Sequence, residues 1–171
     1  SQAITYSLSG TGSEYFAIDS SGNVTLAAGL DYETATSYTL TLNASDGVNT
    51  TSSDLIITVD DVNEAPSLSS SLAASSFAEN TATGTTIATA SASDPESQTL
   101  TYSLSGTGSE NFAVDSSGNI TLVSSLDYET TTSYSLTLTA SDGTNSISNT
   151  INISVADVIE LSIALASSSI S

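Results

Sequence analysis

The chain has 171 residues, of which 19 are Asp or Glu, and it contains no Lys, Arg, His or Cys. The formal charge of −19 excludes a basic nucleic-acid groove, and the missing residue types exclude catalysis by a His base, a Lys nucleophile or a Cys thiolate. No run of residues approaches the roughly 20 apolar residues that a membrane-spanning helix needs.

Apolar residues alternate with small polar ones in several segments, a spacing of two that is typical of half-buried strands. Gly-bearing turns such as Ser45-Asp-Gly47 separate these segments. Short antiparallel strands in this number predict an all-β protein built as a β-sandwich. In chain order, the alternating positions are Tyr6 and Leu8, Val24 and Leu26, Tyr38, Leu40 and Leu42, and Leu55, Ile57 and Val59.

The chain repeats itself with a period of 96 residues, because the segment from Tyr6 to Glu14 recurs unchanged from Tyr102 to Glu110. Such similarity indicates duplication and one fold for each copy. Residues 1–66 are predicted to be a repeat without its N-terminal strands, and residues 67–160 a complete repeat. Residues 161–171 begin like residues 68–76, and we expect either the first strand of a following repeat or a donor strand.

Many carboxylates lie in short clusters near the predicted repeat junction. Carboxylates held together without a cation repel one another. Because the chain has neither His nor Cys, its oxygen ligands favour Ca²⁺, which takes about six to eight oxygens, over Mg²⁺, which keeps its waters. The alternative is a solvated acidic surface that aids solubility. The clusters are Asp31 and Glu33, Asp60 to Glu64, Asp94 and Glu96, and Asp142.

Several short motifs, taken in order, resemble those of the cadherin repeat, in particular the cadherin-like tandem repeats of bacterial surface proteins. The resemblance covers essentially the whole chain. It implies tandem Greek-key β-sandwiches with an immunoglobulin-like architecture and Ca²⁺ bound between repeats. The motifs are Phe77-Ala-Glu79-Asn80, Ala92-Ser-Asp94-Pro-Glu96, Leu-Asp-Tyr-Glu at 30–33 and 126–129, Ala-Ser-Asp-Gly at 44–47 and 140–143, and Asp61-Val-Asn63-Glu64-Ala-Pro66.

By that resemblance, each junction would take its metal ligands from two repeats and the linker between them. The first junction would use Asp31, Glu33, Asp61, Asn63, Glu64, Asp94, Glu96 and Asp142. The second junction is weaker, because Ile159 stands where the first linker has Asn and a full site would need a following repeat. Its ligands would be Glu79, Asp127, Glu129, Asp157 and Glu160.

The sequence therefore predicts a non-enzymatic, extracellular or cell-surface module, a Ca²⁺-rigidified tandem repeat of a bacterial surface adhesin or filament. Its partners would be neighbouring repeats or identical subunits. In one alternative, the tail 161–171 completes the first repeat of the next subunit and so builds a filament. In another, the module binds cell-surface or matrix glycans, for which a chain with no Trp and three Phe offers few stacking surfaces.

Overall fold

The computed structural model describes residues 2–160, which form two compact units that divide between Asn63 and Glu64. We call the part up to residue 63 unit 1 and the part from residue 64 onward unit 2. Both are built from short strands, which confirms the predicted all-β class. The predicted tail strand, residues 161–171, lies outside the described residues.

Unit 1 contains a three-stranded antiparallel sheet and a separate two-stranded hairpin. The sheet has the order β1-β4-β5, and β2 pairs with β3 in the hairpin. Each predicted strand position of this unit lies in one of the observed strands except Val59, which follows the last of them. The strands are β1 (Thr5–Ser9), β2 (Phe16–Ile18), β3 (Val24–Leu26), β4 (Ser37–Ser45) and β5 (Thr50–Thr58).

Unit 2 contains two four-stranded sheets with the orders β10-β11-β8-β6 and β7-β13-β12-β9. All pairings are antiparallel except that of β7 with β13. The buried cluster takes side chains from both sheets, which is the arrangement of a β-sandwich. The strands are β6 (Ser67–Leu72), β7 (Phe77–Ala78), β8 (Thr86–Ser93), β9 (Thr101–Ser105), β10 (Phe112–Val114), β11 (Asn119–Leu122), β12 (Ser133–Ser141) and β13 (Ser146–Ala156).

Helical structure within residues 2–160 is limited to the 3₁₀ turns Ser13–Tyr15 and Ser109–Asn111. Neither has the length or the apolar character required to cross a bilayer.

The core of unit 2 lies between its two sheets. Strand β12 contributes Leu136 and Leu138, and the opposite sheet contributes Ile87, Ile120 and Leu122, all of them with no exposed surface. Because the pleat turns every second side chain of a strand to the same face, the alternating apolar residues meet in one layer. The apolar residues that alternate in the sequence are therefore the side chains that pack between the two sheets.

Unit 1 buries fewer of the equivalent positions. Tyr38 and Leu40 on the central strand β4 are 7% and 0% exposed. Leu26 on β3 is 58% exposed, whereas Leu122, its counterpart 96 residues later, is completely buried. The reason is topological, because β11 lies between β10 and β8 whereas β3 pairs with β2 alone among the described residues.

The turn between β10 and β11 shows how closely β8 approaches its neighbours. Asp115 Oδ1 accepts the N–H groups of Ser117 and Asn119, each at 2.9 Å, and this closes the turn. Gly118 has a φ of +82°, and a Cβ there would lie 2.5 Å from the carbonyl oxygen of Ala90 on β8. Glycine is therefore required by both the backbone conformation and the neighbouring strand.

Candidate metal centre

Three carboxylates gather at the end of unit 2 where β7 and β13 both finish. The two strands run parallel, with Phe77 opposite Val155, so the chain leaves both at the same end of the sheet. Glu79 directly follows β7, Asp157 directly follows β13, and Glu129 lies in the turn before β12. One oxygen from each carboxylate lies within 4.8 Å of the other two.

Glu79 is the buried member of this cluster, with 7% of its surface exposed. Its Oε2 accepts the N–H of Tyr128 at 2.8 Å, and its Oε1 accepts the N–H of Val158 at 2.7 Å. These two N–H groups hold the pKa of Glu79 below its ordinary value, so the carboxylate stays ionised. Glu79 thereby joins the turn before β12 to the segment after β13.

The negative charges of the cluster have no counterpart within the chain, since the sequence contains no Lys, Arg or His. Their repulsion acts on Glu129. Its own backbone N–H lowers the pKa of its carboxyl, but burial and the charges of Glu79, Asp157 and Asp127 outweigh this and raise the pKa above its ordinary value. A bound cation would act in the opposite direction, because it favours the ionised carboxylate.

The other two residues predicted for the second junction lie beside the cluster. Asp127 accepts bonds from the N–H and the hydroxyl of Thr130, at 3.1 and 2.8 Å. The hydroxyl and then the N–H of Thr130 lower the pKa of Asp127. Glu160 is exposed, and it lines with Asp127, Glu79 and Glu129 an open cleft of about 520 Å³.

The same cleft contains residues that the sequence reasoning did not single out as site residues. Asn80, Ser125 and Val158 all line it. Asn80 directly follows Glu79, and this adjacency is a signal that sequence reasoning had available. Ser125 and Val158 gave no such signal, because their place at the cleft depends on which segments the fold brings together.

Unit 1 has counterparts of two of the three carboxylates that cluster in unit 2. Glu33 and Asp61 are the counterparts of Glu129 and Asp157 under the shift of 96 residues. An oxygen of Glu33 lies within 4.8 Å of an oxygen of Asp61. Residues 2–63 contain no counterpart of Glu79, so the buried third carboxylate belongs to unit 2 alone.

Two other predicted ligands close turns with their own side chains. Asp31 in unit 1 accepts bonds from the N–H and hydroxyl of Thr34, at 3.2 and 3.0 Å. Asp142 in unit 2 accepts the N–H groups of Thr144 and Asn145 through Oδ1, both at 2.6 Å. Both carboxylates are therefore fixed in position by local hydrogen bonds.

Of the remaining residues predicted for the first junction, Asn63 and Glu64 lie where the two units divide in sequence, and Asp94 and Glu96 follow β8 in unit 2. Asn63, the last residue of unit 1, is half-buried. In unit 2, Glu96 Oε1 accepts the N–H of Glu64 at 3.4 Å, and a hydrogen bond with the Glu64 side chain is the main cause that lowers the pKa of Glu96. Asp94 Oδ1 accepts the N–H of Gln98 at 3.0 Å. Asp94 Oδ2 and Glu96 Oε2 are buried and accept no hydrogen bond. The first-junction site as a whole stays a prediction.

The aromatic side chains do not form an exposed platform of the kind that stacks on sugars. All seven Tyr and three Phe fall within the described residues, and each of them is half-buried or buried. The structure therefore adds nothing in favour of glycan binding.

The donor set at the end of unit 2 fits a hard divalent cation. Glu79 accepts one hydrogen bond on each oxygen, and because a carboxylate offers about four acceptor positions, both oxygens keep capacity for a further ligand. Glu129 and Asp157 add more oxygens, and no nitrogen or sulfur ligand is present, which is the set that Ca²⁺ prefers. Fold and cluster together define a tandem β-repeat protein with a candidate metal site of oxygen ligands at a repeat end.

The family follows from sequence comparison. A family model of the Cadherin domain matches residues 1–60 and 74–156. The chain belongs to the cadherin domain family, which confirms the resemblance that its motifs indicated.

Curated relatives are much longer than this chain. Mouse cadherin EGF LAG seven-pass G-type receptor 1 is 37% identical over 148 residues, which cover 81% of this chain and 5% of the receptor. Human cadherin-23 is 36% identical over 136 residues, which cover 76% of this chain and 4% of that protein. The chain thus corresponds to a small part of each relative.

Solved structures agree on the fold. Extracellular cadherin domains 3–6 of protocadherin gamma B2 match with a TM-score of 0.68 and 25% identity, over 91% of this chain and 40% of that chain. The EC1-2 structure of human protocadherin-24 matches with a TM-score of 0.62 and 26% identity, over 91% of this chain and 83% of that chain. Cadherin domains are extracellular adhesion modules, and they bind Ca²⁺.

Proposed function

We propose that the chain is a non-enzymatic segment of an extracellular or cell-surface protein in which Ca²⁺ at the repeat ends stiffens a tandem array used in adhesion. The cluster of Glu79, Glu129 and Asp157 carries this proposal. Its carboxylate oxygens approach within 4.8 Å of one another in a chain that has no cationic side chain. An external cation is the chemically simplest compensation.

Bound Ca²⁺ supplies the positive charge that the cluster lacks. The side chains have separate roles in preparing its site. Glu79 uses its two backbone hydrogen bonds to fix the segments on either side, whereas Glu129 and Asp157 present carboxylates from those segments. Because the cluster exists only when β7, β12 and β13 are assembled, the free energy of ion binding adds to the free energy of folding.

The same chemistry is proposed for the junction between the predicted repeats 1–66 and 67–160. An ion held by ligands from two repeats would convert a flexible tether into a semi-rigid connection. The motif pattern supports a bacterial surface adhesin or filament as the parent protein, with neighbouring repeats or identical subunits as partners. The proposed ligands are Asp31, Glu33, Asp61, Asn63, Glu64, Asp94, Glu96 and Asp142.

Calorimetric titration of the full chain with Ca²⁺ tests the metal site. We expect binding in the range of roughly 10⁻⁴ to 10⁻³ M or tighter, as in other extracellular Ca²⁺ modules. Glu129→Gln removes one charge from the cluster and leaves one carbonyl oxygen in place of a carboxylate, and it should weaken a site by at least about tenfold.

Glu110→Gln is the matched control, because it makes the same change at an exposed glutamate of the same unit outside the cluster. It should leave the titration unchanged. A chain that binds no Ca²⁺ would show that the acids are only a solvated surface, and two variants with equal affinities would show that Glu129 is not a ligand.

A second candidate function is that of a filament subunit that polymerises by strand donation. The observation that favours it is Leu26, which is 58% exposed where the equivalent Leu122 is fully buried. An additional strand beside β3 would cover this residue, as β8 covers the equivalent position in unit 2.

A further inference from the structure

The chain enters unit 2 at one end of the sandwich and leaves it at the other. Near the start of β6, the side-chain N–H of Asn149 on β13 donates to the carbonyl of Leu68 at 3.0 Å. Further along, Phe77 on β7 lies opposite Val155 on β13 in a parallel pair. The entering strands β6 and β7 therefore run beside the leaving strand β13 and in the same direction.

This course of the chain decides how unit 2 responds to a lengthwise pull. Tension on the entering chain draws β6 and β7 towards one end of the sandwich, and tension on the leaving chain draws β13 towards the other. The hydrogen bonds between neighbouring strands lie across the strands. They are therefore loaded sideways and must break together, not one after another. Because forced unfolding is governed by the unfolding rate, bonds that break together resist it most.

The two entering strands are not held equally well. Strand β6 pairs with β8 along its length, but its side chains are exposed apart from the half-buried Leu68. Strand β7 is only two residues long, yet Phe77 is 7% exposed and belongs to the core cluster. The position of β7 is therefore the one that is fixed by buried contacts.

Glu79, the residue after β7, adds three hydrogen bonds at this place. Its N–H donates to the carbonyl of Ala156 at 3.0 Å. Its Oε1 accepts the N–H of Val158 at 2.7 Å, and its Oε2 accepts the N–H of Tyr128 at 2.8 Å. Hydrogen bonds to an ionised group are roughly twice as strong as those between neutral groups. Two of the three bonds join the entering chain directly to the leaving chain.

We propose that residues 77–79, held against residues 155–158, form a clamp that keeps unit 2 folded when the chain is pulled lengthwise. The hydrogen bonds of Glu79 are the main fastening of this clamp, and they act without a bound ion. The inference rests on the proposed function, because tension reaches unit 2 only when the chain is part of an array. It goes beyond that function, which assigns stiffness to Ca²⁺ and does not say what bears the load.

Single-molecule force spectroscopy of the full chain tests the clamp, with a handle fused to each end and chelator present. The two units are told apart by the length that each releases. At about 3.5 Å per residue, Glu64 to Glu160 extends to roughly 340 Å and the preceding residues to roughly 220 Å. Glu79→Gln should shorten the lifetime of unit 2 at a given force by about tenfold or more. The glutamine has no charge, and its amide group presents donors to one of the two N–H groups.

Glu110→Gln is the matched control, because it makes the same change at an exposed glutamate of unit 2 that is not part of the clamp. The lifetime of unit 2 should equal that of the wild type. If Glu79→Gln and Glu110→Gln have equal lifetimes, Glu79 does not fasten the clamp and the proposal is wrong.

A second direction of pulling separates a clamp from a general loss of stability. Thr144 is exposed in the turn between β12 and β13, and Thr144→Cys gives the chain its only thiol for a handle. A pull between this turn and the N-terminal handle draws β13 the same way as β6 and β7, so it does not shear the clamp. Unit 2 should then unfold at least about tenfold faster at the same force, and Glu79→Gln should have less effect than in the lengthwise pull.

The two directions also decide the question if Glu79→Gln does not fold, since they can be compared in a chain with Glu79 intact. Equal lifetimes of unit 2 in both directions would overturn the clamp.

The clamp and the metal site can fail separately. A unit 2 that resists the lengthwise pull only when Ca²⁺ is added would overturn the clamp and leave the metal site standing. A unit 2 that resists it in chelator, in a chain that binds no Ca²⁺ in the calorimetric titration, would support the clamp and overturn the metal site alone.

Discussion

Leu26 and Leu122 hold the same position in two copies of one repeat, yet Leu26 is 58% exposed and Leu122 is fully buried. On the central strand the copies agree, since Leu40 and Leu136 are both completely buried. The difference teaches that two kinds of burial operate in this fold. Positions on the central strands β4 and β12, which have a neighbour on each side, are buried in both units, whereas the position shared by β3 and β11 is buried only where β8 lies beside it.

The two units also differ at the end that carries the acids. Glu33 and Asp61 form a pair in unit 1, whereas Glu129 and Asp157 are joined by the buried Glu79 in unit 2. Glu79 reaches its place because β7 runs parallel to β13. The strand that runs beside β13 is therefore also the strand that brings the third carboxylate.

The largest expected effect is on the core. Leu122→Ala should lower the free energy of unfolding of unit 2 by about 2–5 kcal/mol, because it leaves a cavity between the sheets. Leu26→Ala should cost less than about 1 kcal/mol, because its side chain is already largely in water. Urea unfolding of each variant beside the wild-type chain checks both values. Equal losses would mean that unit 1 has a closed core after all.

A smaller effect should follow removal of Ca²⁺. At a free ion concentration of about 100 times Kd, one site adds about 2.7 kcal/mol to the folded state. We expect this stabilisation in unit 2, and Glu79→Gln should reduce it because the glutamine carries no charge for the ion. Thermal melts with Ca²⁺ and with chelator, for the wild type and for this variant, give the comparison. A wild-type melt that is insensitive to chelator would contradict it.

The smallest effect concerns pH, and here the units should behave alike. Asp19 and Asp115 close equivalent turns, and in each the following Asn side chain is the main cause that lowers the pKa below 3.8. A lowered pKa in the folded state stabilises the protein above the unfolded pKa, and this contribution is lost as the pH falls through the folded value. Asp19→Asn and Asp115→Asn should therefore reduce, by similar amounts, the loss in free energy of unfolding as the pH falls. Unfolding at a series of acidic pH values, with chelator present, measures this. A response in one unit only would show that the turns are not equivalent.

Much of the fold was predictable because its signals are local. Alternation marked the strands that carry Tyr6, Tyr38 and Leu55, and the Gly-bearing turns marked their ends. Val59 was placed in a strand but follows β5, which ends at Thr58. In unit 2 the equivalent Val155 is held in β13 by its pairing with Phe77 of β7. The residue at which a strand ends thus depends on the neighbouring strand, and the alternation of apolar residues within one strand does not predict that neighbour.

The sequence predicted which residue types form the candidate site better than it predicted which of those residues lie together. Carboxylates without cations indicated Ca²⁺, and the motifs indicated which carboxylates. The sequence did not distinguish Glu79, Glu129 and Asp157, whose oxygens come within 4.8 Å of one another, from Asp127, which lies beside them in the same cleft. That difference depends on where the fold brings the ends of β7 and β13 and the turn before β12, and these segments are far apart in the sequence.

The sequence by itself determined the repeat, the all-β class, the cadherin motifs and the uncompensated charge of −19, because each of these is a property of residue type and spacing. Only the tertiary structure decided that Glu79 is buried between two backbone donors and that Leu26 stays exposed where Leu122 is covered. Both outcomes depend on strands far apart in the chain, since β7 fixes one and β8 the other. The burial of a side chain is set by the neighbours that the topology supplies, and two similar stretches of sequence can therefore have different surroundings.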